Sequence, residues 1–161
     1  MILAIDPGNV ESAYVLMGED LKPMEFSKTE NENLLTVIES IGFYGGVRTL
    51  AIEMVASYGM AVGATVFETC VWIGRFIEAA ERIGMKVTRV YRKDVKMNLC
   101  GSMKAKDSNI RQALIDRFGV VGVKKAPGWF YGFKADIWSA YAVGVTYYDM
   151  VFMVFKARGE R

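Results

Sequence analysis

The sequence predicts an α/β fold, a five-stranded mixed sheet flanked by helices, and three observations lead to it. Short apolar runs alternate with longer stretches of helical period in the order β-β-β-α-β-α-β-α-α-α. The first three runs are joined by connections of a few residues, which read as a meander. The later strands are reached through helices, which allows parallel pairing. A chain of 161 residues, 52% of them hydrophobic, can bury roughly 70% of its extended-chain surface. No internal repeat or low-complexity linker divides it, so residues 1–161 are expected to form one domain.

Ile2 to Ile5 is the first strand, closed by Asp6-Pro7-Gly8-Asn9, where Pro7 removes a ladder donor and Gly8 relaxes the backbone. Ser12 to Met17 is the second strand, and Gly18-Glu19-Asp20 turns into a third over Leu21 to Phe26. Asn33 to Ile41 carries Leu34, Leu35, Val37, Ile38 and Ile41 on a helical period. Thr49 to Val55 returns to strand character. A long helix over Ala61 to Ile83 repeats Val62, Val66, Phe67, Cys70, Ile73, Phe76, Ile77 and Ala80 at threes and fours. Gly84 stops it, and Lys86 to Val90 is the fifth strand. Tyr91 to Leu99 reads as a short helix and Gly101 to Lys106 as a loop. Asp107 or Ser108 caps a helix running to Phe118. Residues 119–132 have no clear period. Ala135 to about Phe155 reads as an apolar helix with small residues at close-packing positions, although its Val-, Tyr- and Phe-rich second half also fits a strand.

The overall balance of 20 basic and 18 acidic residues hides a polarity along the chain. Residues 1–85 hold 5 basic and 12 acidic residues, a net of −7, and residues 86–134 hold 12 and 3, a net of +9. Such a stretch forms either a phosphate-facing surface or a solvated lysine-rich face. Histidine is absent, which excludes histidine-based acid–base catalysis and most catalytic zinc sites. Two cysteines, Cys70 and Cys100, make no disulfide framework and read as structural. No apolar run is long enough to span a bilayer and no basic leader precedes Asp6, so a cytoplasmic protein is expected.

Three acids stand in apolar surroundings. Asp6 ends the first strand, Glu53 interrupts Ala51-Ile52-Glu53-Met54-Val55, and Asp136 opens the last helix. Taken singly, Asp6 is a turn initiator and Asp136 a helix cap. Glu53 has no such simple reading, because carboxylates seldom occupy buried strands without a partner or a metal. If the first and fourth strands are parallel neighbours, Asp6 and Glu53 meet at one edge of the sheet. Their repulsion is then relieved by a proton or a cation, and Mg2+ or Mn2+ suits an all-oxygen site. The pattern lacks the glycine and lysine spacing of dinucleotide or P-loop binding. Trp129, Phe130, Tyr131 and Phe133 either stack on bases or plug a loop into the core.

Ile2-Leu3-Ala4-Ile5-Asp6-Pro7-Gly8, Ala51-Ile52-Glu53-Met54-Val55 and Asp136-Ile137-Trp138-Ser139-Ala140-Tyr141-Ala142-Val143 occur in this order across most of the chain. Together they resemble the motifs of RuvC-type Holliday-junction resolvases of the RNase H-like superfamily. The histidine-free sequence and residues 91–118 are closer to variants carried by bacteriophages of Gram-positive hosts, which places the protein in the host-cell cytoplasm. The resemblance implies an RNase H-like fold, a homodimer, Mg2+ or Mn2+ as cofactor, and cleavage of branched DNA, especially four-way junctions. It assigns Asp6, Glu53 and Asp136 to three of four metal-binding catalytic acids. Ser139 stands where the fourth would be, one helical turn on, and a hydroxyl is a weaker ligand. Lys96 matches a basic residue after the fifth strand, and Lys106, with Lys104 as its rival, matches a catalytic basic residue near the next helix. Lys93, Lys96, Lys104, Lys106 and Arg111 are the expected DNA contacts. Ala56 occupies the position of an aromatic residue in the bacterial enzyme, with Tyr58 nearby as its substitute. Two other readings share these residues: a junction- or duplex-binding protein with weak or lost cleavage, and an RNase H-like nuclease acting on RNA or linear DNA.

Overall fold

A computed structural model of the chain describes residues 1–57, 59 and 61–157, with side chains to residue 152. Seven strands and five helices follow in chain order among them: β1 (Ile2–Asp6), β2 (Glu11–Met17), β3 (Pro23–Glu30), α1 (Asn31–Phe43), β4 (Thr49–Met54), α2 (Ala64–Arg82), β5 (Lys86–Tyr91), α3 (Arg92–Cys100), α4 (Asp107–Phe118), β6 (Gly122–Val123), β7 (Ala126–Pro127) and α5 (Ile137–Ala157). The main sheet has five strands in the order β3-β2-β1-β4-β5. The meander β1-β2-β3 is antiparallel, whereas β4 pairs parallel to β1 and β5 parallel to β4. The expected five-stranded mixed α/β sheet flanked by helices is therefore present, consistent with an RNase H-like architecture.

Alternation along the strands sorts their side chains onto two faces. Leu3, Ile5, Tyr14, Leu16, Leu50 and Ile52 face α1 and α2, meeting Leu34, Ile38, Ile73 and Phe76. Ile2, Ala4, Ala13, Val15, Met17, Ala51 and Val90 face α5 and its neighbours. Three alanines on that face let α5 lie close. A Cβ on Gly144 would stand 2.1 Å from Met17 Cε and 2.9 Å from Ala4 Cβ, so helix and sheet approach closely at a glycine.

Four expectations change. Leu21 does not begin the third strand: it sits at φ 65° in the turn after β2, its N–H donating to Gly18 O at 3.1 Å. β3 accordingly starts at Pro23 and runs on to Glu30. Phe67 is 62% exposed, because α2 buries the stripe of Ile73, Phe76, Ala79 and Ala80, with Trp72 and Ile77 partly buried against the same core. Cys70, on the same helix, is half-buried and stands outside both cores. Residues 119–132 contain the β6–β7 hairpin, two-residue strands too short to leave a periodic signal.

The aromatic loop is mostly core. Phe130 and Phe133 are buried, and Trp129 Nε1 donates to Tyr141 Oη at 3.0 Å while that hydroxyl donates to Leu21 O at 3.0 Å. Tyr131 alone of the four is exposed.

Candidate metal and nucleic-acid site

The parallel half of the sheet delivers the central groups to one edge. Asp6 and Glu53 each follow the paired residues Ile5 and Ile52 of β1 and β4. Asp6 continues the side-chain parity of Ile2 and Ala4, and Glu53 that of Ala51, so both carboxylates fall on the α5 face. Asp136 immediately precedes α5, where its carbonyl accepts from Ala140 N at 2.9 Å. In the order β3-β2-β1-β4-β5 the chain goes from β1 to one side and later returns to β4 on the other, so the strand order reverses between β1 and its parallel neighbour β4. The carboxyl edge at such a switch point is a customary place for ligands in α/β sheets.

The loop after Asp6 is pinned by a buried polar network. Gly8 N donates to Ser12 Oγ at 3.0 Å, Ser12 Oγ donates to Asn31 Oδ1 at 2.6 Å, and Asn31 Nδ2 donates to Gly8 O at 3.0 Å. Ser12 and Asn31 are each 1% exposed. A Cβ on Gly8 would lie 2.2 Å from Glu11 O, which explains the glycine.

Burial, then the nearby Glu53 and Asp136 carboxylates, push the Asp6 carboxyl up to about 7, with Arg92 and Lys28 acting the other way. Burial also raises Glu53, partly offset by Arg92. Two side chains supply the positive charge. Lys28 Nζ stands 2.8 Å from Asp136 Oδ2 and 3.9 Å from Glu11 Oε2. Arg92 reaches Glu53 Oε2 at 3.5 Å through one nitrogen and pairs with Asp107 through the other. No three His, Cys, Asp or Glu side chains among the described residues stand close enough together to hold an ion. The donor set nonetheless suits a hard divalent cation, being all oxygen, with burial and the neighbouring carboxylates disfavouring a bare charge on Asp6.

Ser139 and Asp136 line one open groove of about 350 Å³ with Arg92, Asp107, Arg111 and Trp138. Arg111 Cζ lies 4.7 Å from the centre of the Trp138 ring. Lys93, Lys104 and Lys106 are exposed and Lys96 half-buried, on α3, the α3–α4 loop and the start of α4. Lys106 N donates to Asn109 Oδ1 at 2.9 Å, and its ammonium makes no salt bridge among the described residues. Tyr58 lies outside the described residues. No protein-family model matches the chain, and no curated protein does. Solved structures do. The Thermus thermophilus RuvC structure superposes with a TM-score of 0.70 at 17% identity, covering 94% of this chain and 95% of that one. T. thermophilus RuvC in complex with a Holliday junction substrate gives 0.72 at 14% identity, with 94% of each chain covered. Fowlpox virus resolvase with substrate Holliday junction DNA gives 0.54 at 14%, covering 93% of this chain and 99% of that one.

This is the RuvC fold. Within it, sequence reasoning singles out Asp6, Glu53 and Asp136, and the structure brings Asp6 within electrostatic reach of the other two. It missed Lys28, Ser12 and Asn31. It counted Arg92 only among the basic residues and Asp107 only as a helix cap. Arg92 was findable, since it directly follows β5, the next parallel strand along the RuvC-fold sheet edge.

Proposed function

We propose that the protein is a metal-dependent endonuclease that cuts branched DNA and resolves four-way junctions, with residues 1–161 as one nuclease domain. One observation carries this reading: Asp6 and Glu53 project from adjacent parallel strands onto the face where Asp136 begins α5. The fold shared with proteins solved on Holliday junction DNA supports it. Asp6, Glu53 and Asp136 would hold Mg2+ or Mn2+, with Ser139 beside them. A divalent ion there supplies an activated water and charge stabilisation at the phosphate. Asp6 keeps its charge when such an ion replaces the proton that burial favours. Lys28 and Arg92 shield the acids from each other in the free protein. Lys93, Lys96, Lys104, Lys106 and Arg111 would meet the backbone phosphates, a role that positions DNA without reading its sequence.

A homodimer suits a junction of near two-fold symmetry that needs paired cuts. Phe67 and Val71 on α2 are exposed, and Gly74 beside them has open space above it. That face is the proposed contact. No helix among the described residues is long and apolar enough to cross a membrane, in keeping with action in a bacterial host cytoplasm.

Ser139 favours a second reading, a junction-binding protein with weak cleavage. A panel of four-way, three-way, duplex and RNA:DNA hybrid substrates, with Mg2+ or Mn2+ and Glu53→Gln as control, decides among these. Selective cutting of the four-way form by the wild type alone is expected. Binding without cutting supports the second reading, and preference for hybrid or linear DNA defeats both.

A further inference from the structure

Arg92 leaves the sheet at the same edge as Asp6 and Glu53, because β5 runs parallel beside β4 with Met54 opposite Tyr91. Its guanidinium spans Glu53 and Asp107 and lines the groove that also holds Asp136, Ser139 and Arg111. Neither partner explains it as a structural device. Glu53 is 3.5 Å away, long for a strong hydrogen bond, and the Asp107 side chain is 81% exposed. The Arg92–Asp107 pair, exposed on its Asp107 side, contributes little stability, and the mostly buried Arg92–Glu53 pair loses hydration that its attraction only roughly offsets. Lys106, which the family resemblance puts forward as the catalytic basic group, makes no salt bridge with any of these acids among the described residues. Arginine carries a planar fork of donors that fits two phosphate oxygens as well as two carboxylate oxygens.

We propose that Arg92 is the phosphate-binding arginine of this site, held on Glu53 and Asp107 in the free protein and transferred to the backbone phosphate at the point of cleavage. Asp107 keeps the guanidinium at the groove, and Arg92 leaves Glu53 as that carboxylate turns to a cation. The inference rests on the nuclease reading and assigns to Arg92 the role expected of Lys106.

The test compares wild type, Arg92→Ala, Arg92→Lys and Lys106→Ala on a four-way DNA junction. Binding is followed against salt in EDTA and in Ca2+, and single-turnover cutting in Mg2+. Arg92→Ala in Ca2+ is expected to lower the salt slope by about one unit. Its cutting rate should fall about 100-fold, the scale for loss of one group that stabilises transition-state charge. Arg92→Lys should restore the slope but only part of the rate. A junction with a neutral methylphosphonate at the cut position should weaken binding by wild type and leave binding by Arg92→Ala unchanged. The inference is overturned if Arg92→Ala keeps the wild-type slope and methylphosphonate sensitivity, or if Lys106→Ala takes over both effects. Should Arg92→Ala fail to fold by circular dichroism, Arg92→Lys decides, and a wild-type rate there overturns it. A wild-type protein that neither binds nor cuts any junction removes the nuclease reading itself, and this inference with it.

Discussion

Lys28 Nζ lies 2.8 Å from Asp136 Oδ2, so an edge strand of the meander holds the acid that opens the last helix. β3 carries no acid of the proposed metal site, yet its lysine competes directly with any cation that Asp136 would bind. Both side chains are two-fifths or more exposed, a setting in which an ion pair is worth about 0.2–1 kcal/mol. Lys28→Met should therefore tighten Mn2+ binding by up to about fivefold, read by calorimetric titration. Unchanged or weaker Mn2+ affinity would place Asp136 outside the metal's reach.

Asp6 makes the metal-free protein sensitive to pH in an unusual direction. Its carboxyl titrates near 7 in the fold against an ordinary 3.8. Between those values the native state holds more protons than the unfolded chain, so stability falls as pH rises from about 4 to about 7. Asp6→Asn should remove that slope and raise stability at neutral pH by up to about 4 kcal/mol. Denaturant melts in EDTA at pH 5 and pH 7.5 measure both effects. Mg2+ should raise the melting temperature of the wild type and leave Asp6→Asn unmoved. A destabilised Asp6→Asn would show that the carboxylate serves the fold instead.

The strands and the three acids were legible because their signals are local. Glu53 announces itself as a charge among Ala51, Ile52, Met54 and Val55, and period two then fixes its face from Ala51. The counter-charges were not legible. Lys28 reaches Asp136 across 108 positions, and only the antiparallel register of β2 with β3 brings it there. Phe67 fits the apolar period of α2 as well as Phe76 does, yet only Phe76 meets the sheet. Periodicity gives a stripe without saying which part is covered. Leu21 misled for a related reason: it is buried through a turn, under the Tyr141 hydroxyl, and not through a strand.

Asn31 is the remote support of Asp6. Its side chain and Ser12 close a buried ring of hydrogen bonds on Gly8, two residues beyond the acid. Asn31→Leu leaves Ser12 Oγ and Gly8 O without that partner, at a cost of about 1–3 kcal/mol. Thermal melting should register the loss. Cutting by the fraction that remains folded should also drop, because an active-site group displaced by about 1 Å loses on the order of 100-fold. A variant with lower stability and an unchanged rate per folded molecule would make the network purely structural.

In the dimer proposed above, paired cutting depends on the outer face of α2. Phe67 and Val71 are 62% and 60% exposed, and residues 67, 71 and 74 recur at helical spacing on the side away from Ile73 and Phe76. Large exposed side chains at one helix face, with a glycine one turn beyond them and no Cβ obstruction above it, suit close approach by the same helix of a second copy. Ala80, small but fully buried against the sheet, takes no part in it. Phe67→Glu puts two like charges together across a two-fold axis, so it should dissociate the dimer while leaving each fold intact. The wild type should sediment as a dimer at micromolar concentration and Phe67→Glu as a monomer with an unchanged circular dichroism spectrum. On a four-way junction the monomeric variant should nick one strand at a time, which a supercoiled cruciform plasmid records as an open circle before the linear form. If Phe67→Glu stays dimeric, the contact lies elsewhere, and if a monomeric wild type still makes paired cuts, the symmetric arrangement itself is wrong.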